Sequence, residues 1–298
     1  MGISFYKIKK WYKMLKGDSI SHVNQGVGTL YSKTEVAGYY NDLTEKVTKD
    51  DPDILVPKYF VDTGEEIFFS IGIFQYGIAS YDLFLKTGEE IYKKKLLACA
   101  DWAIENQQDD GGYVTFAHTT PDTPYSSMAQ GEAASMLVRA HILTKDDRYL
   151  TAAEKSIKFM LVPLKDGGTT EYIDDDVILY ESAHYAAVLN GWIFSLWGLY
   201  DFVKYTNDPT AGQILDRTLC TLKKKLPDYD NGYWSKYDAE KMICSPFYHK
   251  LHIAQLRVMY DLFGDRIYNE YADKWEKYQN SFWKRNRAFC KKVMQKVF

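Results

Sequence analysis

Apolar and polar positions fall along this chain in paired blocks. Apolar stretches at helical spacing begin near Gly72, Gly131, Gly191 and His252. Each ends at a short polar break (KTGEE, TKDD, TNDPT, FGDR), and a more charged helical stretch follows. The first stretch of each unit is apolar nearly all round, which predicts an inner helix; the second is apolar on one face only, which predicts an outer one. The units also resemble one another. Tyr81-Asp82 matches Tyr200-Asp201 and Tyr260-Asp261, and Thr87 and Thr206 take equivalent places. Tyr81 and Tyr200 lie 119 residues apart, and Tyr200 and Tyr260 lie 60 apart, so the unit at Gly131 fills the wider gap. This repetition predicts a mostly α fold, an (α/α) barrel or incomplete toroid of about four helical hairpins over residues 64–298.

The short breaks close one end of such a barrel. Three connections at the other end are long for a compact fold. They contain Asp110-Gly111-Gly112, Asp166-Gly167-Gly168 and Asn231-Gly232, each followed by alternating or aromatic residues. Those turn signals predict small hairpins, and loops gathered at one end of a rigid scaffold are where function usually sits. Residues 1–63 read differently: a basic N-terminal helix, then short strands and turns over 24–63, expected as a β element at the barrel mouth.

A net charge of −3 creates no global field for nucleic acid, so an anionic ligand needs a local cluster of cations. Cys99, Cys220, Cys244 and Cys290 form no CxxC pair and read as reduced, mostly buried thiols. The N-terminus lacks the apolar core of a signal peptide, and no run of about 18 apolar residues occurs. A cytoplasmic protein is therefore expected. Lys7, Lys9, Lys10, Lys13 and Lys16 among aromatic residues suit packing on the domain or a peripheral contact with the inner membrane face. A homodimer is a further expectation.

The chain holds 25 tyrosines, and Tyr113, Tyr172, Tyr180, Tyr229, Tyr233, Tyr237 and Tyr248 fall in or beside the long loops. A Tyr ring stacks on a pyranose while its hydroxyl bonds to sugar or moves a proton. Tyr180, Tyr237 and Tyr248, with the cations Lys236, Lys241, His249 and Lys250, are thus candidates for sugar binding or acid–base work. Other patterns are less selective. His249 and His252 at i, i+3 make half a metal site at most. Asp174-Asp175-Asp176 reads as a solvated loop. Asp110, Glu132, Glu181 and Asp238 include no pair whose spacing selects it for glycoside hydrolysis.

Five segments carry a resemblance. PYSSMAQGEAASMLVRAHILTKDDRYL (124–150), AVLNGWIFSLWGLYDF (187–202) and KYDAEKMICSPFYHKLHIAQL (236–256) resemble segments of the heparan sulfate/heparosan D-glucuronyl C5-epimerase family. FQYGIASYDLFLKTG (74–88) and GYYNDL (38–43) fit it too. The resemblance implies an (α/α) barrel and conversion of D-glucuronate to L-iduronate within a polysaccharide, without a redox cofactor or metal. It implies Tyr180, Tyr237 and Tyr248 as acid–base residues. Gln130, Asn190, Glu181, Tyr125, Lys236, Lys241 and His249 become candidates for holding the substrate. This chain departs from the family at Leu179-Tyr180-Glu181, where an acid usually precedes the Tyr, and at Glu240, where an Arg is usual. A polysaccharide lyase and a non-catalytic glycan-binding relative are the alternatives.

Overall fold

A computed structural model describes Tyr12, residues 23–60 and residues 65–297. The predicted basic helix, with its membrane contact, falls outside the described residues apart from Tyr12. Eight helices form four antiparallel hairpins: α1 (Ser70–Thr87) with α2 (Glu90–Asn106), α3 (Ser127–Thr144) with α4 (Asp147–Met160), α5 (Leu189–Thr206) with α6 (Pro209–Lys225), and α7 (Pro246–Phe263) with α8 (Arg266–Asn280). A ninth helix, α9 (Phe282–Val297), which the repeat does not predict, follows. The odd-numbered helices of the hairpins are inner and nearly all buried, while α2, α4, α6 and α8 bury one face. The result is the expected (α/α) barrel of four hairpins.

The short turns share one device. The residues Gly88, Lys145, Asn207 and Gly264 end the inner helices in the left-handed region, and each amide bonds back to the helix. That cap turns the chain within two residues, so each outer helix packs on its own inner helix. Serine and aspartate side chains cap the starts of α3, α4, α6 and α7. Inner helices α3 and α5 approach so closely that a Cβ on Gly198 would lie 2.1 Å from the Gly131 carbonyl oxygen. Ser127 and Ser195 hydroxyls bond at 2.7 Å along the same seam.

Of the three long connections, the second forms the predicted hairpin, β3 (Thr170–Ile173) with β4 (Asp176–Leu179), once β1 (Tyr59–Phe60) and β2 (Glu66–Ile67) are counted. Asp174 sits at its turn with φ 52°, and Asp176 pairs with Lys224, so the aspartate run is a turn. The first connection carries no strand, and the third has only isolated bridges such as Lys236 to Ile243. Cys99 and Cys244 are buried, whereas Cys220 and Cys290 are exposed and all four are free; the expectation of mostly buried thiols holds for half of them.

The N-terminal segment differs from its predicted form and, over part of its length, from its predicted place. Residues 23–57 contain one bridge, Val27 to Asn41, and a helical turn at Glu45–Thr48 rather than a run of strands. Residues 31–40 sit at the short-turn end, not the mouth, and all four inner helices hold them. On α1, Asp82 accepts the Tyr39 amide at 2.9 Å. On α3, Arg139 donates to the carbonyls of Ala37 and Gly38. On α5, Asp201 accepts the Tyr40 hydroxyl and pairs with Arg139 at 2.6 Å, both fully buried. On α7, Asp261 takes Tyr31 and Lys33. The repeated Tyr-Asp positions thus supply three of the four grips.

Candidate active site

A cavity of about 350 Å³ opens among the starts of the inner helices, at the long-loop end. That volume lies in the range of roughly 300–1,000 Å³ typical of small-molecule sites. Phe69, Phe116, Phe194 and Phe247 give it apolar walls, and Gln25, Lys46, Gln75, Glu181, Asn190 and Tyr248 bring polar groups to it. Asn190 opens α5, and Tyr248 stands in the first turn of α7, below the Ser245 cap. Glu181 is seated by Gly191: a Cβ there would lie 2.3 Å from its Oε2 and 2.6 Å from its Cβ.

Tyr237 joins Tyr248 from the third long loop. The rings meet edge to face with centroids 4.9 Å apart. Burial pushes both phenols above their ordinary value, and Glu181 pushes both further. A hydrogen bond from Tyr237 partly opposes the rise at Tyr248, and the neighbouring Asn190 amide does so at Tyr237. Both phenols are therefore protonated at neutral pH. Helix α9 backs this loop: Lys292 donates to the Ile243 carbonyl at 2.7 Å and lies over the Tyr237 ring.

Glu181 is the group of this cluster that titrates near neutrality. Desolvation lifts its carboxyl from 4.5 to about 7, and its Oε2 is buried without a partner. Deeper inside, Glu132 on α3 accepts from Gln75 at 2.8 Å. Burial raises its carboxyl well above the usual range, and Glu181 adds to this against Gln75 and Lys46. Burial lowers the Lys46 ammonium, and Glu132 opposes that.

The other predicted site residues are placed elsewhere. The Tyr180 hydroxyl bonds to Glu171 at 2.8 Å, so β3 holds it, and it does not line the cavity. Gln130 is buried against Ser156, Gly111 and Tyr113. Tyr125 packs edge-on against Phe159. His249 stacks on Trp234 at 3.6 Å, receives Ser235 at Nδ1 and donates from Nε2 to the Trp275 carbonyl. Burial pulls its pKa down to about 3, so it is a neutral core histidine and not half of a metal site. Lys236 reaches the Glu240 carbonyl, and Lys241 is exposed. The structure brings together Tyr237, Tyr248, Glu181 and Asn190, and adds Gln25, Lys46, Gln75 and Glu132. A polar residue at a buried position of a largely apolar inner helix is the signal that could have found Gln75, and Glu132 stood in the sequence only as one of four unselected carboxylates. Gln25 and Lys46 carry no sequence signal.

The (α/α) barrel that carries this cavity belongs to a known class of fold. A solved structure of an unsaturated glucuronyl hydrolase variant (UGL) with dGlcA-Glc-Rha-Glc matches with a TM-score of 0.51 and 12% identity, covering 91% of this chain and 82% of that one. The family is more specific: residues 111–277 match the D-glucuronyl C5-epimerase C-terminus model, and the chain belongs to that family. It is 28% identical over 215 residues to the D-glucuronyl C5-epimerase of Caenorhabditis elegans, covering 62% of this chain and 35% of that protein. It is 34% identical over 155 residues to an uncharacterized protein of Methanocaldococcus jannaschii, covering half of each. The chain thus spans about a third of the nematode relative's length and half of the archaeal one's. No helix among the described residues is long and apolar enough to cross a membrane.

Proposed function

We propose that this protein inverts C5 of D-glucuronate residues within a polysaccharide, giving L-iduronate, with Tyr237 and Tyr248 as the proton-transfer residues. The observation that carries the reading is the hydrogen-bonded Tyr237–Tyr248 pair beside Glu181, with Tyr248 and Glu181 in the cavity wall and Tyr237 against the Tyr248 ring. The C5 hydrogen is acidic because it lies α to a carboxyl group, so the reaction needs a base, an acid and a partner for the carboxylate. Two phenols held above their ordinary pKa are good acids only toward a strongly basic carbanion. One of them must first lose its proton, and Glu181 is the nearby acceptor that titrates near neutrality. The resulting phenolate takes the C5 proton, breaking C–H, and the other phenol gives its proton to the opposite face, forming the new C–H. Proton return through Glu181 restores the start, with no net oxidation. Tyr180, tied to Glu171, serves this scheme by holding the loop next to Glu181.

The test is incubation with heparosan in D₂O, reading C5 deuterium and iduronate signals by NMR. Deuterium at C5 with unchanged chain length is the expected result. Shortened chains with unsaturated ends mean a lyase, and binding without exchange means a glycan-binding protein.

A further inference from the structure

The carbanion step fails unless a positive group faces the substrate carboxylate. We propose that Lys46 binds the uronate carboxylate, which makes the N-terminal segment the part of the chain that selects an acidic sugar. The proposal rests on the epimerase reading above. Among the described residues, Lys46 is the one cationic side chain lining the cavity, and no hydrogen bond or ion pair there engages its ammonium. The neighbouring cations are committed. Lys95 bonds to Ile54 and Tyr76, Lys250 to Asn24, and Lys292 to Ile243.

The two acids near Lys46 do not consume its charge. Glu132 already accepts the Gln75 amide and burial favours its neutral form, and among the described residues no ion pair joins Lys46 to Glu132 or to Glu181. A second observation is independent of charge. Asn190 and Gln25 line the cavity with side chains 3% and 8% exposed; the Gln25 amide oxygen has no partner, and the Asn190 amide has the Tyr237 phenol alone. Buried polar groups are almost always paired, so an orphan acceptor and a half-used amide donor beside an ammonium with no hydrogen bond describe a missing polar ligand. A uronate supplies what they lack: two carboxylate oxygens for Lys46 and Asn190, and a hydroxyl for Gln25. Rigidity suits the role too. Lys46 lies six residues after Tyr40, the end of the stretch that the inner helices hold, and the next residue, Val47, is buried.

Calorimetric titration of a heparosan oligosaccharide and of its carboxyl-reduced counterpart tests this, using the wild type, Lys46→Met and Lys46→Arg. Losing a charge-assisted hydrogen bond should weaken Lys46→Met for the acidic ligand about 10–150-fold. The reduced ligand should bind wild type and Lys46→Met alike, and Lys46→Arg should recover most of the acidic ligand's affinity. Equal affinity of wild type and Lys46→Met for the acidic ligand, or equal loss for both ligands, overturns the proposal. Should Lys46→Met not fold, acetic anhydride footprinting of the wild type decides: bound oligosaccharide must protect Lys46, and an unprotected Lys46 refutes the assignment. Wild-type C5 exchange with unaltered Lys46→Met affinity sinks Lys46 alone. A wild type that neither binds nor exchanges overturns the epimerase reading as well.

Discussion

Replacing Glu181 by glutamine should make the protein more stable and less active at the same time. In the folded state the carboxyl is lifted from 4.5 to about 7. A raised acid binds more protons folded than unfolded, so stability falls as pH rises from 4.5 to 7 and the full cost stands above 7. At about 1.36 kcal/mol per pH unit, the rise corresponds to about 3 kcal/mol. Glu181 retains some exposure, and solvent screening trims this to about 2 kcal/mol. Glu181→Gln carries no such penalty. It should match the wild type at pH 4.5 and melt about 4–8 °C higher at pH 8. Asp82, also raised to about 7, is present in both proteins and cancels in the difference. Circular-dichroism melting at both pH values measures the effect, and C5 deuterium exchange by the same samples should fall about 10²–10⁴-fold. Melting curves that keep a constant separation across pH would refute the claim that Glu181 is a desolvated acid.

Tyr237→Phe and Tyr248→Phe should each cut C5 exchange by about 10²–10⁴-fold with melting temperature nearly unchanged; a variant that melts early but exchanges normally would mark its tyrosine as structural. Gly191→Ala places a Cβ against Glu181, so it should lower exchange and cost about 1–3 kcal/mol by overpacking, read by urea unfolding, whereas a gain in stability would show that Glu181 is not seated there. His249, held down to about 3 against an ordinary 6.5, lends stability that is complete above pH 6.5 and lost as pH falls toward 3. Its imidazole NMR signals should therefore show no titration between pH 5 and 8, and an inflection near 6.5 would contradict the buried placement.

The barrel was readable because hydrophobicity and repetition speak together. Helices such as α5, buried on all sides, and α6, buried on one, leave different patterns in sequence, and the Tyr-Asp pairs fix their phase. Tyr237, Tyr248 and Asn190 were readable through the resemblance, since they stand in segments 187–202 and 236–256. Tyr180 and His249 stand outside the cavity wall for a physical reason: a side chain's identity does not tell which neighbour claims its polar atoms, and Glu171 and Ser235 claim these two. Lys46 was invisible. It sits on a helical turn of four residues, and only its place in the cavity wall sets it apart. Similarly, α9 follows Asn280 without a repeat partner, and only the loop it supports gives it a role.

The grip of the inner helices on residues 31–40 also fixes an order of assembly. Tyr31 and Asp261 are 230 positions apart along the chain, and contacts of such long range form slowly because loop closure precedes any gain. During synthesis the hairpins can zip locally, one after another, while the segment of residues 31–40 waits for α7 before its last anchor exists. The cavity, with Gln25 and Lys46 in its wall and Tyr248 and Leu251 of α7 opposite, thus cannot be complete before α7 is made. A nascent chain or folding intermediate with every hairpin through α6 in place would still have no finished cavity.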